Sequence, residues 1–315
     1  MKKNAFLFAG QGAQYVNMGK DLYKNHKIFK DIYDEAGEYL KINLLDICSD
    51  NAELSKTHNA QPAIFIMSYG IFKILEENNI KPNCAAGFSL GEITSLAVSK
   101  ILSFKDALDL IKIRGEIMQE ACEKTPGIMC GIIGTTDETI DEVIKEACEN
   151  TGGYVIPANY NCPGQTVISG EIKSVEKAIE IFAGKKIRTI KLNVSGAFHT
   201  KFMLYNQEKL IDFLKGINYN SPAFELYSNV TGEKFDFNNF DKTSMKSFMI
   251  NYIPEQMSNP VRFRGELERI NSDGCDLFIE IGAGKVLSGF VKRTCPNANF
   301  INIQDCSTLN AFINS

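Results

Sequence analysis

Apolar residues recur along this chain with two different periods. Residues 5–9 are uniformly apolar and run into Gly10-Gln11-Gly12, the pattern of a buried strand ended by a turn. From 61 to 78 the spacing changes. Ile64, Met67, Ile71 and Leu75 fall three or four apart, which predicts a helix with one buried face. A short apolar run at 84–86 leads into Gly87, and 90–100 again reads as helix. Ser103 followed by Asp106 has the spacing of a capping box. It starts a helix running to about Cys122, which Pro126-Gly127 ends.

Beyond residue 127 the elements shorten. Strands are expected at 128–134, 154–158, 166–169 and 187–194, with helices at 137–149 and 172–182. This β-α-β-β-α-β order is the ferredoxin-like arrangement. After His199, helices are expected at 201–214, 261–270 and 285–293. Strands are expected at 224–228 and 276–281, the second followed by the turn Gly282-Ala283-Gly284. Alternating strands and helices imply an α/β fold. The expected organisation is a large α/β-hydrolase-like domain with a mainly parallel sheet, built from 1–126 and 198–315. A smaller ferredoxin-like domain is inserted at 127–197.

Composition narrows the function classes. A length of 315 residues suits about two domains. The net charge of −4 gives no reason to expect nucleic acid. Nine cysteines without a C-x-x-C pair, and three scattered histidines, give no zinc spacing. The cysteines read as reduced, buried and small, which fits a cytoplasmic protein. The apolar run after Met1-Lys2-Lys3-Asn4 is too short for a signal-peptide core, and no segment reaches the length of a membrane span. In such a compartment the sequons at Asn193 and Asn229 carry no weight. Function must be read from sites.

Gly87-Phe88-Ser89-Leu90-Gly91 matches G-x-S-x-G between an apolar strand and a predicted helix, the context of a nucleophile elbow. Its serine would sit near a helix N-terminus, whose N–H groups can hold an oxyanion. A serine needs a base. His26 lies in the polar 24–27 stretch and His58 among Thr57 and Asn59, so both read as surface or loop positions. His199 follows the small residues Ser195-Gly196-Ala197, where the inserted domain should rejoin the large one, and is the better candidate. Arg114 falls inside the apolar stripe Ala107, Leu110, Ile111, Met118 and Ala121. A charge facing inward must be paired. The partner is either an internal carboxylate such as Glu92 or Glu116, or a carboxylate on a substrate. Gly10-Gln11-Gly12 lacks the third glycine of a dinucleotide fingerprint, since Tyr15 stands there, and Gly284-Lys285 lacks the spacing of a P-loop. No cofactor and no metal are expected. Lys185, Lys186, Arg188 and Lys191 read as solvated surface, or as a docking face for an acidic partner.

Six ordered stretches carry a resemblance. They are Phe8-Ala9-Gly10-Gln11-Gly12-Ala13-Gln14, Gly87-Phe88-Ser89-Leu90-Gly91-Glu92, Arg114-Gly115-Glu116-Ile117-Met118-Gln119-Glu120, Asn159-Tyr160-Asn161-Cys162-Pro163-Gly164-Gln165, Gly196-Ala197-Phe198-His199-Thr200 and Gly282-Ala283-Gly284-Lys285-Val286-Leu287. Together they resemble the motif series of malonyl-CoA:acyl carrier protein transacylases, essentially end to end. The resemblance implies transfer of a malonyl group from malonyl-CoA to the phosphopantetheine thiol of acyl carrier protein, for fatty acid biosynthesis. It leaves a polyketide carrier protein as an alternative acceptor, and a related serine hydrolase as an alternative activity. It implies Ser89 as nucleophile, His199 as base without a carboxylate third member, and the N–H groups of Gln11 and Leu90 as oxyanion hole. Arg114, Met118, Phe198, Asn159 and Asn161 are implied as substrate-binding, and Gln256 as orienting the histidine through its carbonyl. The implied partners are malonyl-CoA and acyl carrier protein, with neither nucleic acid nor membrane, and the chain is expected to be a monomer. One residue departs from the pattern. The family usually has histidine before the serine, and here it is Phe88.

Overall fold

The computed structural model describes residues 3–194 and 196–314, so Met1, Lys2, Ser315 and the Ser195 of the small-residue stretch lie outside the described residues. The chain runs in order β1 (Lys3–Phe8), α1 (Lys20–Asn25), α2 (Lys27–Leu40), α3 (Leu44–Ser49), α4 (Asn51–Leu54), α5 (Thr57–Glu77), β2 (Cys84–Gly87), α6 (Leu90–Val98) and α7 (Phe104–Lys124). Next come β3 (Gly127–Ile133), α8 (Asp137–Thr151), β4 (Val155–Cys162), β5 (Gln165–Glu171), α9 (Ile172–Gly184) and β6 (Arg188–Lys191). The chain closes with α10 (Gln207–Gly216), β7 (Glu225–Leu226), α11 (Lys242–Ser258), α12 (Phe263–Ser272), β8 (Cys275–Ile281), α13 (Val286–Thr294), β9 (Asn299–Ile303) and α14 (Cys306–Ile313).

The first strands and the last form one parallel sheet in the order β7-β2-β1-β8-β9. It is covered on both faces, which is why 5–9 reads as an unbroken apolar run. Phe6, Phe8, Ala85, Ile279 and Ile281 face one core, with α5, α6 and α7. Ala5, Leu7, Cys84, Ala86 and Phe278 face the other, with α12 and α13. The middle of the chain forms a separate antiparallel sheet in the order β4-β5-β3-β6, the ferredoxin-like order, with α8 and α9 packed on it. The two layers meet where Pro126 bridges Gly196 and where Asn159 bridges Val261. Both bridges border the site described below.

Several boundaries differ from the sequence reading, each for a local reason. The strand expected at 187–194 keeps only Arg188–Lys191, the residues in ladder register with β3, beyond which a single bond from Leu192 N–H to the Met129 carbonyl continues the contact. The strand at 224–228 shrinks to Glu225–Leu226, a sheet edge. The helix at 201–214 breaks because Asn206 turns left-handed at φ 53°. A short 3-10 turn, Lys201–Leu204, precedes α10. The helix at 261–270 begins at Phe263 because Val261 is spent on the bridge to Asn159. Ser103 caps α7 by accepting from Asp106 N–H, but the Asp106 carboxylate returns to the serine hydroxyl rather than to its N–H, so the box is half formed. His58 stands in α5, exposed, rather than in a loop. No described helix is long and apolar enough to cross a membrane.

Candidate active site

The turn from β2 into α6 presents Ser89. A Cβ on Gly87 would stand 1.9 Å from the Gly91 carbonyl carbon, and one on Gly91 would stand 1.9 Å from the Phe8 oxygen. Strand, turn and helix therefore close together only with glycine at both places. Ser89 itself takes φ 55°, ψ −101°, a region that non-glycine residues rarely occupy and that marks functional sites when the surroundings enforce it.

His199 is 4% exposed and lies beside the serine, with Nε2 2.8 Å from Ser89 Oγ. Its Nδ1 lies 3.2 Å from each of two carbonyl oxygens, those of Gln256 and Asn259. Carbonyls only accept, so Nδ1 carries the proton and Nε2 is free to accept from the serine hydroxyl. The two carbonyls belong to the end of α11, where the last turn has no helical partner to offer them. Burial, and then the Arg114 charge, push His199 from 6.5 down to about 3. At neutral pH it is an uncharged acceptor.

Arg114 is 1% exposed. Its Nη1 donates to Gln61 Oε1 at 2.8 Å and its Nη2 donates to Ser89 Oγ at 2.9 Å. Its Nε is buried without a partner. Among the described residues no carboxylate lies within ion-pair distance of it. Glu116 pairs instead with Lys209, and Glu92 accepts from Asn229 N–H and the Tyr252 hydroxyl. Glu92 acts on Arg114 only as a charge at longer range, so neither carboxylate that the sequence offered forms an ion pair with it. Burial lowers its pKa to about 10, still well above neutral, so the guanidinium stays charged. Burial raises Glu92 from 4.5 to about 7.

A cleft of about 280 Å³ opens between the two sheets onto these groups. Gln11, Met118, Phe198, Asn159 and Asn161 all line it, and the Asn161 Oδ1 is buried without a partner. Among the described residues, neither Gln11 N–H nor Leu90 N–H donates to a protein acceptor. The Leu90 side chain is buried away from the cleft, so only its backbone can serve there. Gln256 also stands outside the cleft wall. It gives its carbonyl to His199 and donates its side-chain Nε2 to the Ser89 carbonyl at 2.8 Å. Phe88 projects into the cleft wall and meets Phe263 edge-on at 5.4 Å.

Two residues central to this geometry escape a reading of the sequence. Gln61 orients Arg114 and donates to Gln11 Oε1 at 3.3 Å. Asn229 braces the serine turn. Both are neutral amides. The one available signal was a fully buried amide within the apolar face of a helix, as Gln61 is in α5.

The acyl transferase domain family matches residues 5–311. The malonyl CoA-acyl carrier protein transacylase of Bacillus subtilis is 39% identical over 313 residues, covering 98% of this chain and 96% of that protein. The chain belongs to the malonyl-CoA:acyl carrier protein transacylase family. Solved structures agree with this membership. The transacylase from Clostridium perfringens superposes with a TM-score of 0.91 at 38% identity, over 99% of this chain and 96% of that one. A malonyl-transacylase solved in complex with its type II PKS acyl-carrier protein also superposes at 0.91, with 32% identity and 99% of each chain covered. The chain thus carries the family's serine turn with phenylalanine at position 88.

Proposed function

We propose that this protein transfers a malonyl group from malonyl-CoA to the phosphopantetheine thiol of acyl carrier protein, for fatty acid biosynthesis, through a malonyl ester on Ser89. One observation carries the reading. A serine, a neutral histidine and a buried arginine without a carboxylate partner converge within hydrogen-bond distance at the floor of one cleft.

The chemistry follows from that placement. Ser89 Oγ attacks the thioester carbonyl as its proton passes to His199 Nε2. The carbonyl oxygen gains charge, which the N–H groups of Leu90 and Gln11 receive. Collapse breaks the carbon–sulfur bond, and the departing thiolate takes the proton from His199. The carrier thiol then gives its proton to His199 and attacks the Ser89 ester; the carbon–oxygen bond breaks, and His199 returns that proton to Ser89 Oγ. Through these steps the malonyl carboxylate rests on Arg114, whose unpartnered Nε and adjacent Nη2 form a fork for two oxygens. The carbonyls of Gln256 and Asn259 stabilise the transient imidazolium in place of a third carboxylate. Met118 and Phe198 wall the acyl group, and Asn159 and Asn161 offer amides to it.

The division into a large catalytic domain at 1–126 and 198–315 and a small domain at 127–197 is part of the same reading, as are a cytoplasmic location and a monomeric state. A polyketide carrier protein is a second acceptor, favoured by the likeness to the transacylase solved with its type II PKS partner. The test is intact-protein mass after brief exposure to malonyl-CoA. One malonyl adduct is expected on the parent protein and none on Ser89→Ala. An adduct that survives in Ser89→Ala overturns the assignment.

A further inference from the structure

A serine held at φ 55°, ψ −101° needs surroundings that enforce it. The glycines at 87 and 91 permit the turn, but they do not impose it. The side chain that spans the turn is Asn229, on the loop after β7, 1% exposed. Its Oδ1 accepts from Ser89 N–H at 2.8 Å, and its Nδ2 donates to the Gly87 carbonyl at 2.7 Å. One amide thus closes across both peptide groups that flank residue 88. The same Oδ1 accepts from Gln256 Nε2 at 3.4 Å, and Gln256 in turn donates to the Ser89 carbonyl and receives the His199 ring through its own carbonyl.

Two buried carboxylates aim Asn229. Glu266 Oε1 accepts from its Nδ2 at 2.7 Å, and Glu92 Oε1 accepts from its backbone N–H at 3.0 Å. The second oxygen of each, Glu92 Oε2 and Glu266 Oε2, is buried with no partner. These two groups leave half their capacity unused while fixing one asparagine, a costly arrangement to keep for a loop alone. The chemistry at the position is also particular. The turn presents one N–H donor and one C=O acceptor, and a side-chain amide matches both at once. A carboxylate would set oxygen against the Gly87 oxygen and against Glu266, and a hydroxyl is too short to reach both groups.

We infer that Asn229, aimed by Glu92 and Glu266, is a positioning residue that holds the serine turn in its reactive shape and couples it through Gln256 to His199. The inference rests on Ser89 being the nucleophile proposed above. Asn229 touches neither the acyl group nor the reacting oxygen, and it acts by where it places them.

The test compares the parent protein with Asn229→Asp, Asn229→Ser and the double variant Asn229→Asp with Glu266→Gln. Four quantities are read: the first-order rate of Ser89 malonylation, the rate of Ser89 labelling by a fluorophosphonate, KM for malonyl-CoA, and the thermal melt. A displaced nucleophile slows both serine reactions by about 100-fold in each single variant. KM stays near the parent value, because Arg114 and the cleft are untouched. Adding Glu266→Gln to Asn229→Asp restores part of the rate, since the amide introduced at 266 can donate to the carboxylate introduced at 229 and re-form that contact with its direction reversed, while the Gly87 carbonyl still lacks its donor. Unchanged serine rates in both single variants overturn the inference. So does a loss in which KM and melt move in step with the rates, or a double variant no faster than Asn229→Asp. The fluorophosphonate separates this from the transfer reading. If the parent protein is labelled at Ser89 yet takes no malonyl group, the transfer reading fails, and the labelling rates still decide the role of Asn229.

Discussion

Arg114 should decide between charged and uncharged acyl groups. A malonyl thioester exceeds an acetyl thioester by one carboxylate, and the guanidinium that would meet it is 1% exposed with Nε unpartnered. Removing one member of a buried charged pair costs about 3–5 kcal/mol, so kcat/KM for malonyl-CoA should fall by about 10²- to 4 × 10³-fold in Arg114→Ala. The substitution also deletes the Nη2 bond to Ser89 Oγ, and that loss acts on both thioesters alike. The ratio of malonyl to acetyl is therefore the measure, and it should shift towards acetyl. In the parent, an acetyl group leaves the buried cation without an anion, which penalises that substrate. Arg114→Lys should recover less than its charge suggests, because an ammonium can neither fork onto two oxygens nor hold Gln61 in the same plane. The assay is kcat/KM for malonyl-CoA and acetyl-CoA in the three proteins, with a thermal melt for each. If both substrates fall by one factor in Arg114→Ala, the arginine is a structural donor to Gln61 and Ser89, and the carboxylate reasoning is refuted.

Four further outcomes are expected. His199→Ala should slow malonylation by about 10²- to 10⁴-fold with the melt preserved. In the parent, the acylation rate should hold as pH falls through 6.5, since burial and Arg114 keep His199 neutral down to about 3; a loss centred near 6.5 contradicts this. Phe198 lines the cleft beside the base, and its ring should disfavour the extra methyl of methylmalonyl-CoA by about 1–3 kcal/mol, so comparable kcat/KM for the two thioesters argues against it. Glu92 is raised from 4.5 to about 7, so its stabilising contribution is present below 4.5 and is lost as pH rises through 7. Glu92→Gln keeps the carbonyl acceptor without the charge, so its melting temperature relative to the parent should climb between about pH 5 and about pH 8, and a constant difference counts against the assignment.

What could be read in the sequence follows the strength of the local signal. Strand β1 is apolar on both faces from Ala5 onward and announces itself, β8 shows a short apolar core, Leu277 to Ile279, between Asp276 and Glu280, and α7 combines a cap, a stripe and a Pro-Gly stop. Helix α11 announces nothing. It carries Pro254 in its last turns and buries Met245, Met249, Tyr252 and Ile253 without one clean apolar face. The strand expected at 224–228 is there, but its extent of two residues is set by pairing with β2, a distant segment, which no periodicity reports. The same division holds in the site. Ser89 sits in a motif, Arg114 violates an apolar stripe, and His199 is left when two other histidines are set aside. Gln61 and Asn229 are uncharged, and their importance lies in what they join, which only the folded chain displays.

The groups that meet Ser89, and those that hold these in turn, come from positions spread between Gln11 and Asn259. They arrive from the loop after β1, from α5, α7, the segment after β6, the loop after β7 and the end of α11. None of these contacts is local, so each must wait for long-range closure of the chain. A nascent chain that has not yet released α11 holds Ser89 but lacks both carbonyls that orient its base. On the function proposed above, the serine hydroxyl therefore stays inert through synthesis and early collapse, and meets its base only once the whole structure has assembled around it.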